Sequence, residues 1–503
     1  MTDNWIHLIY WLEGFGWVAL GCFSLHRVWL LALWFTARRR PQAVPPPPAD
    51  WPVVTVQLPV FNERYVIERL LSAVAALDYP NDRLEIQVLD DSTDDTREIV
   101  AREVSRLSRD GLRIAHLHRA TRAGFKAGAL AEGLRAARGE LIAIFDADFL
   151  PPADFLRRSV PYFSDRTVGM VQARWGHLNG SGSLLTRVEA VMLDGHFLIE
   201  QVARSRSGYF FTFNGSAGVW RRRTIDDAGG WHADTLTEDL DLSYRAQLNG
   251  WRFIYLPDLV APAELPEQMS GFKAQQHRWT KGSIQTALKL LPAVWRSAQP
   301  LRVKLEACFH LGNWLHYPMG LLVVLLVLPI LIISRGAVIV DDPVNWSWKG
   351  PLGLLFFAMS ALFYGMAQRQ AGVPWWRYLL QVPVFMAVTV GVALNNTRAI
   401  CEALCGTPSS FTRTPKYNGQ ADGPKHASYR PDRSAAAAWW GAEVALGLYI
   451  CTTAAYAVSH QLYGSVPFLV PLSAGFLYAG LSSVQPALWP RLRNERGSVL
   501  GRE

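Results

Sequence analysis

At 503 residues the chain is too long for one ordinary domain, and with 50% hydrophobic residues and 20 tryptophans it is too apolar and aromatic for a typical soluble enzyme. Its net charge of +8 and pI of about 9.3 would suit nucleic acid, but the cations cluster beside apolar runs and so argue for membrane topology instead. Dense charge between residues 50 and 300, against long apolar runs from 310 to 490, divides the chain into a soluble part and a membrane part.

The first apolar run, residues 14–36, is long enough for a bilayer core, which takes roughly 20 mostly apolar residues as a helix. It is expected to be retained rather than cleaved as a leader, because the positive cluster "TARRR" follows it and no small-residue cleavage site is evident. His26 and Arg27 lie inside it and are expected to face neighbouring helices or snorkel rather than carry function. "PQAVPPPPADWP" then forms a stiff, extended spacer.

From residue 53 the pattern alternates. Strands are predicted at 53–60, 84–92, 112–119 and 140–149, and helices at 63–77, 94–108 and 126–138. Strand, helix, strand in series gives a mostly parallel sheet with covering helices, which binds ligands at the carboxyl ends of its strands. Those ends carry "FNE", "DDSTDD" and "DAD". Asp90 and Asp91 open a helix, with Ser92 or Asp94 available as a cap, so helix capping competes with ligand binding there. Asp146 and Asp148 repel each other unless a cation sits between them, and hard divalent ions bind through one or two carboxylates plus substrate phosphates. A further acidic cluster begins a helix at about Glu238, where the helix dipole alone favours carboxylates. The apolar strand that follows brings this helix back to the sheet, where a carboxylate can take a proton from an attacking hydroxyl.

Downstream, "QQHRWTKG" leads into the amphipathic "SIQTALKLLPAVW", a surface-lying helix with Trp279 at the polar-to-apolar boundary. Further spans are predicted at 317–334, 351–368, 437–459 and 466–488. The basic stretches after the first span, between Arg398 and Arg433, and after residue 490 fall on the cytosolic side by the positive-inside rule. That puts the N-terminus outside and residues 37–308 inside. If the apolar stretch 374–397 crossed the membrane, the basic loop behind it would lie outside, so it reads as an interfacial or re-entrant helix. Cys401 and Cys405, four apart, fit helix packing rather than a metal site, and five cysteines give no paired framework.

"PVFNE", "DDSTDDT", "FKAGAL", "DAD", "TED" and "QQHRW", in this order, resemble the signature set of family 2 inverting glycosyltransferases. The likeness is to the membrane-embedded processive synthases: the cellulose synthase, hyaluronan synthase, chitin synthase and cellulose-synthase-like glucomannan synthase group. It covers roughly residues 50–435, and the Q-x-x-R-W element makes it specific. The resemblance implies a GT-A-type, Rossmann-like α/β domain in the cytosol, inserted between α-helical transmembrane segments. It implies that Asn62, Glu63, Asp90 and Asp91 line the nucleotide pocket, with Lys126 near the diphosphate and Gln275 and Arg278 addressing the diphosphate or the acceptor hydroxyl. Asp146 and Asp148 would hold Mg2+ or Mn2+, Glu238 and Asp239 would be catalytic with Asp239 as general base, and Trp279 would stack on the acceptor sugar. "FNGSAG", with Asn214, Gly215 and Ser216, matches the acceptor-contacting element, but carries Asn214 where cellulose synthases usually have Cys, which leaves the sugar open. "SSFTRTPKY" is similar to the gating loop of such synthases, with Arg413 and Lys416 as diphosphate donors; attraction of a basic loop to lipid headgroups is the competing reading.

The expected organisation is a transmembrane helix (1–36), a Pro-rich linker (37–52), the cytosolic catalytic domain (53–282) and amphipathic interfacial helices (283–316). A transmembrane pair (317–368), the interfacial or re-entrant helix (374–405), the gating-like loop (406–434), a second transmembrane pair (437–488) and a cytosolic tail (489–503) follow. The tail is expected to be too short for a cyclic-dinucleotide-binding domain. The implied protein is a multi-pass enzyme of the plasma membrane (in bacteria, the inner membrane) that polymerises a β-linked glucan or mannan and extrudes it through its own channel. Its partners would be a nucleotide-sugar donor, UDP-glucose or GDP-mannose, the growing glycan and the bilayer, with no nucleic acid. The alternatives are a non-processive transferase acting on ceramide or diacylglycerol, and a scaffold that has kept the fold without the chemistry.

Overall fold

The computed structural model describes residues 2–39, 42–336, 349–409, 414, 416 and 433–499. Arg413, with most of the gating-like loop 406–434 and of residues 335–350 between two expected spans, lies outside the described residues.

The soluble part is built on a seven-stranded mixed sheet of β1 (Val54–Val60), β2 (Leu84–Asp90), β3 (Ile114–His118), β4 (Leu141–Ile144), β5 (Val168–His177), β6 (Gly218–Arg221) and β7 (Arg252–Ala263), in the order β3-β2-β1-β4-β6-β5-β7. The first four strands run parallel to their neighbours, β6 runs antiparallel to β4 and β5, and β5 and β7 are parallel. Alternation of strands and helices imposes the parallel half. β1 and β2 are buried along nearly their whole length, as strands covered on both faces must be. Pro59 sits beyond the last β1–β4 pair, Gln57 with Ile144, so its missing N–H breaks no ladder on that side.

One sheet face packs on the helices Ile67–Ala75 and Thr96–Arg109, through Val54, Val56, Ile86 and Val88 against Leu70, Leu71, Val74 and Val100. The opposite face covers Leu130 and Leu134 of the helix Phe125–Ala136, and its core continues into Leu30, Leu31 and Trp34 of the first long helix and Phe363 and Ala367 of the helix Lys349–Gln370. The soluble domain and the apolar helices therefore share one hydrophobic core. His26 Nε2 lies 3.0 Å from Glu306 Oε2, and Arg27 donates to Ser360 Oγ; both side chains turn to neighbouring helices.

Six helical stretches among the described residues are long and apolar enough to cross a membrane: Asn4–Ala37, Leu301–Ile333, Leu352–Gln370, Trp375–Leu404, Trp439–Ser459 and Tyr463–Ser483. The fourth contains the stretch expected to lie at the interface, as the helices Trp375–Gly391 and Ala393–Leu404. Near its start, Tyr378 donates to the Ala361 carbonyl (2.8 Å); near its end, Asn395 donates to the Lys273 carbonyl (3.1 Å) and Glu402 meets Lys281 (3.1 Å). "QQHRW" differs from expectation. It is not the lead-in to an amphipathic helix but an early part of one continuous helix, Met269–Arg296, because nothing between Met269 and Leu291 breaks the helical pattern.

Candidate active site

The carboxyl ends of β1, β2 and β4 form the floor. β1 ends at Val60, and Asn62 takes a left-handed φ of 56°, a conformation that asparagine adopts more readily than most residues. Its amide clasps the next strand end: the Thr93 N–H donates to Asn62 Oδ1 (2.9 Å) and the Asn62 N–H to Ser92 Oγ (2.9 Å). This clasp delays the first helix to Ile67, four residues after its expected start. Asp90 is fully buried and accepts from the Ser92 N–H (2.8 Å), with His116 Nε2 at 2.8 Å. Burial pushes its carboxyl up, but the His116 and Ser92 hydrogen bonds prevail and hold it below the ordinary value. One oxygen of Asp90 and one nitrogen each of His116 and His118 lie within 4.8 Å of one another. Asp91 is gripped at both oxygens by the Arg119 guanidinium, at 2.7 and 2.5 Å.

The two aspartates just beyond β4 are each matched with a lysine. Lys126 Nζ donates to Asp146 Oδ1 (2.6 Å) and to the Gly215 carbonyl (2.8 Å); Lys416 Nζ lies 2.7 Å from Asp148 Oδ2 and donates to the Glu264 carbonyl (2.8 Å). Burial would lower both ammonium pKa values, but the facing carboxylates outweigh it and raise them, so both lysines stay charged. The repulsion expected between these two aspartates is relieved by the two lysines. Asp146, with its side chain one-third exposed (34%), and Asp148 offer the oxygen ligands that a hard divalent ion takes.

Above this pair sits the turn 213–217. Gln172 shapes it, accepting from the Asn214 N–H (3.0 Å) and donating to the Ser216 carbonyl (3.0 Å), and Ser216 Oγ accepts from the Asp146 N–H (2.9 Å). Gly215 has φ +84°, and a Cβ there would lie 2.9 Å from Asp239 Oδ2, so glycine lets the backbone meet the carboxylate. Glu238 and Asp239 open the helix Glu238–Leu248, where Asp239 Oδ1 accepts from the Leu240 N–H (2.8 Å). Burial, followed by repulsion from Glu238, pushes Asp239 up to about 7; burial also raises Glu238, against the pull of Lys126.

The Met269–Arg296 helix closes the site. Gly282 makes this possible, since a Cβ there would come within 2.5 Å of Thr237, the residue before Glu238. Leu236 N–H donates to Gln285 Oε1 (3.0 Å), fixing the same contact. Lys281, fully buried, holds Glu402 (3.1 Å) and the Thr407 carbonyl (2.7 Å), which anchors the chain leading toward Thr414 and Lys416.

A cavity of about 180 Å³ results. Glu63, Asp91, Lys126, Asp146, Asp148, Asn214, Gly215, Glu238, Asp239, Gln275, Arg278, Trp279 and Lys416 all line it. Asn62, Asp90 and Ser216 do not; their side chains brace the loops that form its walls. Sequence reasoning missed Arg122, whose guanidinium lies 3.5 Å over the Phe61 ring, as well as Trp175, Glu264 and Thr414. Arg122 was discoverable: it stands with Arg119 just ahead of Lys126, a cation cluster at a loop-to-helix junction. A second cavity, of about 570 Å³, adjoins the first. The two share Trp175, Leu193, Asn214, Thr237, Asp239 and Trp279, and the second extends between the apolar helices as far as Glu13, Trp17 and Phe468.

Residues 52–282 match the profile of "Glycosyltransferase like family 2". Over 254 residues the chain is 46% identical to glucomannan 4-beta-mannosyltransferase 2 of Arabidopsis thaliana, covering 50% of this chain and 48% of that protein. It is 45% identical over 252 residues to glucomannan 4-beta-mannosyltransferase 1 of Oryza sativa subsp. japonica, covering 49% of this chain and 48% of that protein. The chain thus spans about half the length of these curated relatives. Among solved structures, a mannosyltransferase from Pyrobaculum calidifontis, in complex with GDP-Man and Mn2+, is 25% identical with a TM-score of 0.55, over 79% of this chain and 100% of that one. Residues 52–282 are therefore a family 2 glycosyltransferase domain of GT-A-type α/β fold, flanked by helices long and apolar enough to cross a membrane.

Proposed function

We propose that this chain is an inverting hexosyltransferase that extends a β-linked polysaccharide from a nucleotide-sugar and passes the product through its own membrane helices. The observation that carries this reading is that Asp239, Asn214 and Trp279 line both cavities, which sets the larger one, between the apolar helices, beside the reaction centre. Relatives named as glucomannan mannosyltransferases, and a structural neighbour holding GDP-Man, favour mannose over glucose as the sugar and GDP-mannose as the donor.

In this mechanism Lys126, Lys416 and Arg278 receive the diphosphate in a pocket whose paired charges are already oriented. A divalent cation held by Asp146 and Asp148 would supply neutralisation of the charge that builds on the leaving diphosphate. Asp239, whose pKa burial raises to about 7, takes in its carboxylate form the proton of the acceptor hydroxyl as that oxygen bonds to the anomeric carbon. The bond from that carbon to the phosphate oxygen breaks on the opposite face, so configuration inverts and the nucleoside diphosphate leaves. Trp279 offers a ring face to the acceptor at the junction of the cavities.

The proposed topology has a cytosolic catalytic domain, an outside N-terminus and the 374–405 segment as a re-entrant element. Contacts of the far end of that segment with the helix that closes the catalytic site, at Lys273 and Lys281, support it. The test is a donor screen: purified protein in nanodiscs, given one radiolabelled nucleotide-sugar at a time with Mg2+ or Mn2+. Polymer held at the chromatographic origin with GDP-mannose is expected, and a mobile lipid-soluble product would overturn the polysaccharide reading.

A further inference from the structure

Glu189 lies on the helix Leu184–Asp194, which continues through the π-helical turn Gly195–Glu200. Wider turns of this kind recur at functional sites. One face of this segment, Glu189, Met192, Leu193, His196, Phe197 and Glu200, lines the larger cavity. That cavity has four acidic side chains, and three are partnered: Glu13 by Trp17 Nε1 (3.3 Å), Glu200 by Arg204 (2.9 Å) and Asp239 by the Leu240 N–H (2.8 Å). Glu189 is 0% exposed, and among the described residues neither of its oxygens has a hydrogen-bond partner. On the Met269–Arg296 helix, Gln276 is 1% exposed, lines the same cavity and has an unpartnered Oε1. A buried polar group without a partner costs stability, and one that lines a cavity is completed by what fills that cavity, water or a ligand.

We propose that Glu189, with Gln276, recognises the hydroxyl groups of the acceptor sugar and thereby sets which glycan the enzyme extends. The proposal rests on the reading of the larger cavity as the acceptor and product path. The chemistry suits an uncharged hexopyranose. A carboxyl group in its acid form gives one O–H donor and one carbonyl acceptor, the complement of two neighbouring sugar hydroxyls, and Gln276 Oε1 accepts a third bond. Burial pushes Glu189 up to about 8 against the pull of Lys416, which keeps it in that neutral form at physiological pH. Trp279 in the same lining supplies the flat surface on which a pyranose ring rests.

The test uses the full chain in nanodiscs and β-1,4-linked mannohexaose as probe, with binding read from tryptophan fluorescence and transfer measured separately from GDP-mannose. Glu189→Leu is expected to weaken mannohexaose binding about tenfold, the loss of roughly one buried hydrogen-bonded pair. Glu189→Gln, which retains a donor and an acceptor, is expected to stay within about threefold of wild type. Donor binding with Mn2+ is expected to be unchanged in both, and the unfolding temperature of Glu189→Leu should not fall. Wild-type affinity for mannohexaose in Glu189→Leu overturns the proposal. So does loss of oligosaccharide and donor binding together with a lower unfolding temperature, which marks a structural role. A wild type that binds mannohexaose in a Glu189-dependent way, yet transfers sugar from no donor, overturns the transferase reading and leaves the subsite standing.

Discussion

Replacing Asp239 by asparagine tests the chemical core of the mechanism. Burial and the neighbouring Glu238 move this carboxyl from the ordinary 3.8 to about 7, a shift equivalent to about 4 kcal/mol between its acid and ionised forms. Two consequences follow, with opposite signs for activity and stability. Only the carboxylate accepts a proton, so kcat/KM, which reports the free enzyme, should rise with unit slope up to about pH 7 and then level off, with about a tenth of the plateau at pH 6. Asparagine accepts no proton, so turnover should fall about 10²- to 10⁴-fold, or about 3–5 kcal/mol, and the residual rate should lose its pH dependence. Stability runs the other way. The folded-state pKa lies above the unfolded one, so the ionisation penalty is absent below about pH 4, grows as pH rises and is complete above about pH 7. The asparagine variant should therefore unfold at a higher temperature than wild type at pH 8, with the gap closing toward pH 4. The assay is radiolabelled transfer from pH 5.5 to 8.5, beside donor binding, which should stay within about threefold. More than a tenth of wild-type turnover in the variant, or a flat wild-type profile, would refute Asp239 as the base.

Gly215→Ala adds a Cβ 2.9 Å from Asp239 Oδ2 at a φ of +84°, so it should cost about 1–3 kcal/mol of stability and, by displacing the base, about 10²-fold in turnover, read by calorimetry and transfer assays. Chelation should abolish transfer and added Mn2+ or Mg2+ restore it, while Asp148→Asn should raise the metal concentration needed for half-maximal rate by at least about tenfold. Trp279→Ala should raise the acceptor KM about tenfold and leave the donor KM unchanged; a donor-side defect would put Trp279 with the nucleotide instead.

The sequence by itself determined the parallel half of the sheet and the acidic strand ends, because both are written in local periodicity. The apolar run before Asp90 marks the end of β2, whereas β4 stops at Ile144, short of the expected 149, and leaves Asp146 and Asp148 on the turn beyond it. The apolar helices were legible for the same reason, since length and hydropathy are local properties. Side-chain direction was not. Asn62 and Asp90 occupy expected strand ends, but a left-handed turn and a pair of histidines draw them into the walls, leaving Asp91 and Glu63 to face the cavity. Nor does local pattern reveal that the Met269–Arg296 helix closes on Thr237 through Gly282, or that Lys416 pairs with Asp148. These contacts join residues far apart in the chain, and only the packing of one core shared by the sheet and the long helices decides them. That packing also sets the larger cavity between the apolar helices beside the smaller one, a relation between surfaces that no single segment encodes.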